Sequence, residues 1–253
     1  MNILKIIKEL YTGKENLVAQ TAIFALAGIM AISFNEVISV FTGNTLYAIF
    51  AVPDGNETII FSMLGIMIFI FFTGYIYKFI HENYECEKSQ LPTISMDCFT
   101  CFAKIIPVIF VWGIYLGLAS YLGLILFGVN HIEFYAYAVF LLVTLPFINM
   151  VFVRFAKDFK YNLKIFNLLS VAKIMEKTFV QVFLFILQFV ALGAIISLLS
   201  GVGFKFAIDA QSRIAQLLCV LTVLCVSSYF QQVLNLAYYK GLTEIIKKEQ
   251  SLN

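Results

Sequence analysis

Charge is what this sequence has least of. Only 13% of its 253 residues are Asp, Glu, Lys or Arg, about half of the roughly 25% typical of soluble domains. Ionisable side chains are missing from the middles of its long apolar runs, where proton- and ion-coupled pumps place their relays. The same gap removes the acids and bases that an intramembrane hydrolase needs. The chain has two histidines; His131 stands with Glu133 in a short loop, too little for a catalytic pair. The patterns GxSxG, HExxH and GxxxxGK[ST] are absent, which takes away three recognisable routes to hydrolytic or nucleotide chemistry.

What the chain does have is apolar length. Hydrophobic residues make up 61% and the mean hydropathy is +0.92. Six runs reach the roughly 18 residues needed to cross a bilayer: 17–34, 58–80, 105–128, 134–153, 179–203 and 214–236. The second run holds eleven Leu, Ile or Phe between Ile59 and Tyr77, each worth about −0.3 to −0.6 kcal/mol at mid-membrane. This predicts an all-α polytopic membrane protein, a single integral domain over residues 1–253 with six transmembrane helices. Ala31-Ile32-Ser33 loosely matches a cleavage site, but the long leading segment favours an uncleaved first span.

Lysine and arginine set the orientation. Fifteen of the seventeen fall before span one, between spans two and three, between four and five, or in the tail. Only Lys205 and Arg213 fall on the other side. By the positive-inside rule both termini are expected in the cytoplasm, and the asymmetry calls for no nucleic-acid partner.

Three segments have the period of an amphipathic helix lying in the interface. Ile3, Ile6, Ile7 and Leu10 oppose Lys5, Lys8 and Glu9. Thr93, Asp97, Thr100 and Lys104 form a polar stripe, with Ile94, Cys98, Phe99, Cys101 and Phe102 off it. Ile165, Leu168, Leu169, Ala172 and Met175 oppose Asn167, Ser170, Lys173 and Lys177. Each precedes a hairpin of two spans, so the chain reads as three units at about 1–80, 93–157 and 163–240, each a cytoplasmic interfacial helix followed by a transmembrane hairpin. The alternative is that any amphipathic linker between spans has this look. The first outer loop, 35–57, carries turn signals at Thr42–Thr45 and Pro53–Asn56.

The stretch "HENYECEKSQLPTISMDCFTC", residues 81–101, gathers one histidine and three of the five cysteines. Cys98 and Cys101 have CxxC spacing, and His81 with Cys86 would complete four metal ligands. Against this, a helix turns both CxxC cysteines onto an apolar face beside two phenylalanines, where cysteine acts as a small hydrophobe. A bend between spans is the preferred reading, with no metal and no cofactor expected. Gly113 and Gly117 form GxxxG, a signal for close helix packing within the chain or between copies. Gln20, Asn149, Gln181, Gln188, Gln216, Gln231, Gln232 and Asn235 are expected to hydrogen-bond between helices. Pro107 and Pro146 fall inside spans three and four.

Residues 74–92, "GYIYKFIHENYECEKSQLP", and 152–177, "FVRFAKDFKYNLKIFNLLSVAKIMEK", resemble a prokaryotic multi-pass membrane family known as domain of unknown function 4013, over roughly residues 60–200. The shared features are a Gly-Tyr near a span's inner end, a charged linker, Leu91-Pro92, and basic, aromatic segments leading through an amphipathic helix into the next span. The long outer loop and Cys101-Phe102-Ala103-Lys104 depart from the family pattern. The resemblance implies a prokaryotic cytoplasmic membrane and brings no catalytic residues. The expected function is a non-enzymatic scaffold or accessory subunit, with a protein partner or second copy and anionic lipid at the basic face. A passive lipid or small-molecule carrier is the second reading; an enzyme or metal protein built on His81, Cys86, Cys98 and Cys101 is the third.

Overall fold

A computed structural model describes residues 2–12, 14–42, 55–84, 90–128, 132–210 and 212–251. The described residues form helices and no strand. They are α1 (Ile3–Leu10), α2 (Lys14–Thr42), α3 (Gly55–Asn83), α4 (Asp97–Phe127), α5 (Ile132–Ala156), α6 (Leu168–Ile208) and α7 (Arg213–Ser251). A short 3-10 turn, Leu163–Phe166, precedes α6. All but α1 are long and apolar enough to cross a membrane.

Local signals start the elements where they start. The Asn2 side chain accepts from the Leu4 N–H at 2.9 Å and caps α1, and Asn167 does the same for Leu169 at the head of α6. Such caps satisfy amide groups that a first helical turn leaves open. Helix α1 buries Ile3, Ile6 and Leu10, the face its periodicity marks, against α6 and α7. The Ile3 N–H also donates to Gln188 Oε1 at 3.1 Å. Its apolar stripe is therefore covered by protein.

Two of the three expected interfacial helices are not separate elements. Residues 90–95 have no regular structure, and α4 then runs from Asp97 through Pro107 to Phe127 without a break. The reason lies in its buried stripe: Cys98, Cys101, Ile105, Val108 and Trp112 recur at three- and four-residue spacing and favour one continuous helix. Likewise α6 is a single helix of 41 residues. At about 1.5 Å per residue it is roughly twice as long as the bilayer core is thick. The expected loop at 35–57 also begins later, because α2 continues to Thr42.

Helix α7 is the hub, packing against α1, α2, α3, α5 and α6. Helices α2–α3, α4–α5 and α6–α7 pair as hairpins, so chain direction alternates and one end of the bundle collects nearly all the lysines and arginines. That basic end also holds the core. Phe79, Ile80, Phe147, Met150, Phe155, Ile174, Phe185, Leu242 and Ile246 are all buried there. Toward the far end the helices are open: Leu122, Leu126, Tyr135, Phe140, Leu198, Leu199, Phe206 and Leu218 are exposed.

Candidate functional site

The polar groups of the basic end converge in two places. The first fixes the linker after α3. Lys78, on the last turns of α3, donates to the Thr93 carbonyl at 3.0 Å and to Ser95 Oγ at 2.8 Å, with Glu82 and Asp97 carboxylates each at 3.7 Å. Asn83 accepts from the Gln90 N–H and donates back to the Gln90 carbonyl, both at 2.7 Å. The Leu91 N–H reaches Asn16 Oδ1 on α2 at 2.9 Å, and the Tyr75 hydroxyl donates to the Pro92 carbonyl at 3.0 Å. A loop's buried backbone groups need partners, and here the side chains of α2 and α3 supply them. Lys240 of α7 closes the set on the Asn83 carbonyl at 3.4 Å.

The second place lies between the end of α5 and the start of α6. Phe159 takes a left-handed backbone conformation, φ 51°, with its N–H on the Phe155 carbonyl at 2.8 Å. Glycine normally fills such a helix-ending position. Here the Phe159 ring is held instead, 5.2 Å from the His81 ring and 4.9 Å from Lys104 Nζ. The chain so turned makes the rim of a cavity of about 340 Å³, with Val151, Ile165 and Ile174 as its apolar wall and Arg154, Asp158, Lys160, Asn162 and Ser170 as its polar one. Arg154 is ion-paired with Glu249 of α7, whose other oxygen lies 3.9 Å from Lys177 Nζ. The Tyr161 hydroxyl donates to the Lys104 carbonyl at 2.6 Å, and Trp112 Nε1 donates to the Ile165 carbonyl at 3.0 Å. These two bonds fasten the loop along α4.

The sequence-derived ligand set is placed as follows. His81 Nδ1 lies 2.7 Å from the Lys157 carbonyl oxygen. Cys98 and Cys101 are buried on α4, with the Cys98 backbone pressed against Gly74 of α3. Cys86 and His131 lie outside the described residues. Among the described residues no three His, Cys, Asp or Glu side chains gather as metal ligands would. Of the amides, Gln20 bridges α1 and α7 through the Leu10 carbonyl and the Tyr229 hydroxyl. Gln188 takes the Ile3 N–H, and Asn149 meets the Tyr238 hydroxyl at 3.2 Å. Gln216 instead bonds Arg213 on its own helix.

The packing glycines differ from the expected pair. A Cβ on Gly74 would stand 1.8 Å from the Cys98 carbonyl oxygen, and one on Gly241 would stand 2.2 Å from the Phe185 ring. On Gly113 or Gly117 it would meet nothing within 4 Å, so among the described residues nothing packs closely on the GxxxG face of α4. Sequence reasoning also missed Glu36. It is fully buried in α2 with Ser33 and Ser39, inside the apolar stretch Asn16–Ser39. The three-residue spacing from Met30 through Ser33 and Glu36 to Ser39 was the available signal.

These elements define a polytopic α-helical membrane protein with a polar, packed basic end. No family model, curated protein or solved structure matches the chain.

Proposed function

We propose that the chain is a non-enzymatic scaffold or accessory subunit of a prokaryotic cytoplasmic membrane, with both termini in the cytoplasm. The observation that carries this reading is the open face of α4. Among the described residues no helix lies over Gly113 and Gly117, and Phe110, Ile114, Leu118 and Tyr121 beside them are exposed. Small residues at this spacing let a second helix approach closely, and none of the described helices of the chain does so here. The fifteen basic residues on one side of the alternating spans of the sequence support an inward orientation, and the resemblance to domain of unknown function 4013 supports the prokaryotic setting.

A photoreactive residue at Phe110 tests it in native membranes. The expected result is a protein adduct, lost when Gly113 and Gly117 are both replaced by leucine while the fold survives. Adducts to lipid alone would contradict the reading. A passive lipid or small-molecule carrier is the second reading. It is supported by a cavity of about 190 Å³ between the far halves of α6 and α7, where Ser200, Thr222 and Ser227 stand among apolar side chains. Unchanged lipid exchange in reconstituted vesicles would remove it.

A further inference from the structure

We propose that the cavity between the end of α5 and the start of α6 binds the phosphate group of an anionic phospholipid. This goes beyond the packing role above and does not depend on it. Arg154 is the anchor. One arm of its guanidinium is tied to Glu249, while its Nε is buried without a hydrogen-bond partner among the described residues. That N–H is out of reach of a bound group, but the Arg154 side chain as a whole is 30% exposed and lines a cavity of about 340 Å³ into which an oxyanion fits. Guanidinium and phosphate pair through strong charge-assisted hydrogen bonds.

The rest of the lining favours negative charge. Lys160 stands on the rim beside Asp158 with its side chain 82% exposed, within reach of a bound group. Ser170 lies in the first turn of α6, where the helix dipole adds positive potential. Two carboxylates are present and both are engaged. Asp158 Oδ1 accepts the Lys160 N–H at 3.2 Å and Oδ2 lies 3.9 Å from Lys160 Nζ. Glu249 holds Arg154 and faces Lys177. Three cations against two carboxylates leave the site net positive.

A lipid, as against free phosphate, is favoured by what flanks the cavity. Leu163, Leu168 and Leu169 are 88%, 57% and 67% exposed, an apolar shelf at the head of α6 against which acyl chains can pack. Basic pockets between transmembrane helices at the cytoplasmic side have the chemistry to hold such headgroups.

The test is native mass spectrometry of the full chain ejected from nanodiscs of phosphatidylcholine doped with phosphatidylglycerol. Retained phosphatidylglycerol is expected. Its occupancy should fall about fivefold for each cation removed, in Lys160→Gln and in Arg154→Gln; Lys160→Gln carries the test if Arg154→Gln fails to fold. Lys5→Gln/Lys8→Gln, exposed charges on α1, should leave it unchanged. Equal retention in all variants would overturn the proposal, as would equal loss in all. Displacement by soluble glycerol 1-phosphate at the concentration of the lipid would overturn the assignment to a lipid.

Discussion

Gly74 and Gly117 sit on neighbouring helices in comparably apolar sequence, and their surroundings are opposite. A methyl group on Gly74 would collide with the Cys98 carbonyl 1.8 Å away, whereas on Gly117 it would touch nothing within 4 Å. The contrast extends to the whole molecule. At the basic end polypeptide packs on polypeptide, and buried lysines, asparagines and a tryptophan are matched to carbonyls. In the far halves of α4, α5 and α6 apolar side chains face outward, with Leu126 and Leu198 each about 70% exposed. In water such a surface would be untenable; in a bilayer, lipid covers it. The fold is thus specified mainly where the helices leave the hydrocarbon, and the membrane supports the rest.

The sharpest way to break this comparison is to place the same side chain at both glycines. Gly74→Leu should destabilise the fold by about 3 kcal/mol or more, since a backbone carbonyl has to move. Gly117→Leu should change it by less than about 0.5 kcal/mol, as at other uncontacted sites. Unfolding in detergent micelles measures both, and equal effects would erase the distinction. A smaller loss, about 2 kcal/mol, is expected for Lys78→Met, which removes a charged donor from the Thr93 carbonyl and Ser95. The linker after Asn83 should then become sensitive to limited proteolysis. Smallest is Asn149→Leu, which removes a single amide–hydroxyl bond between α5 and α7 and should cost about 0.6 kcal/mol.

Much of the fold was legible in the sequence because the bilayer imposes a length and a polarity that short windows detect. The six spans and the buried face of α1 follow from those alone. Element boundaries were not legible where an amphipathic start merges with an apolar continuation, as at Asp97 and Leu168. A polar stripe at a helix's first turns reads equally as a separate surface helix or as the end of a long one. The Arg154 cavity was hidden for another reason. Its members come from α5, the following loop and α6, and the left-handed Phe159, with no glycine to announce it, brings them together. Gly74 was hidden by its sequence surroundings, which give no GxxxG spacing. The close approach is set by the Cys98 backbone on another helix.

The most direct test of the account is the sidedness of the two ends. Single reporter cysteines at Lys5, Lys160 and Lys248 on the basic end, and at Lys205 and Arg213 on the far end, would be challenged with a membrane-impermeant maleimide on intact cells, after the native cysteines are replaced by serine or alanine. The account predicts labelling at Lys205 and Arg213 alone, with the basic-end positions reacting only after permeabilisation. Labelling of Lys5 or Lys248 on intact cells would contradict it.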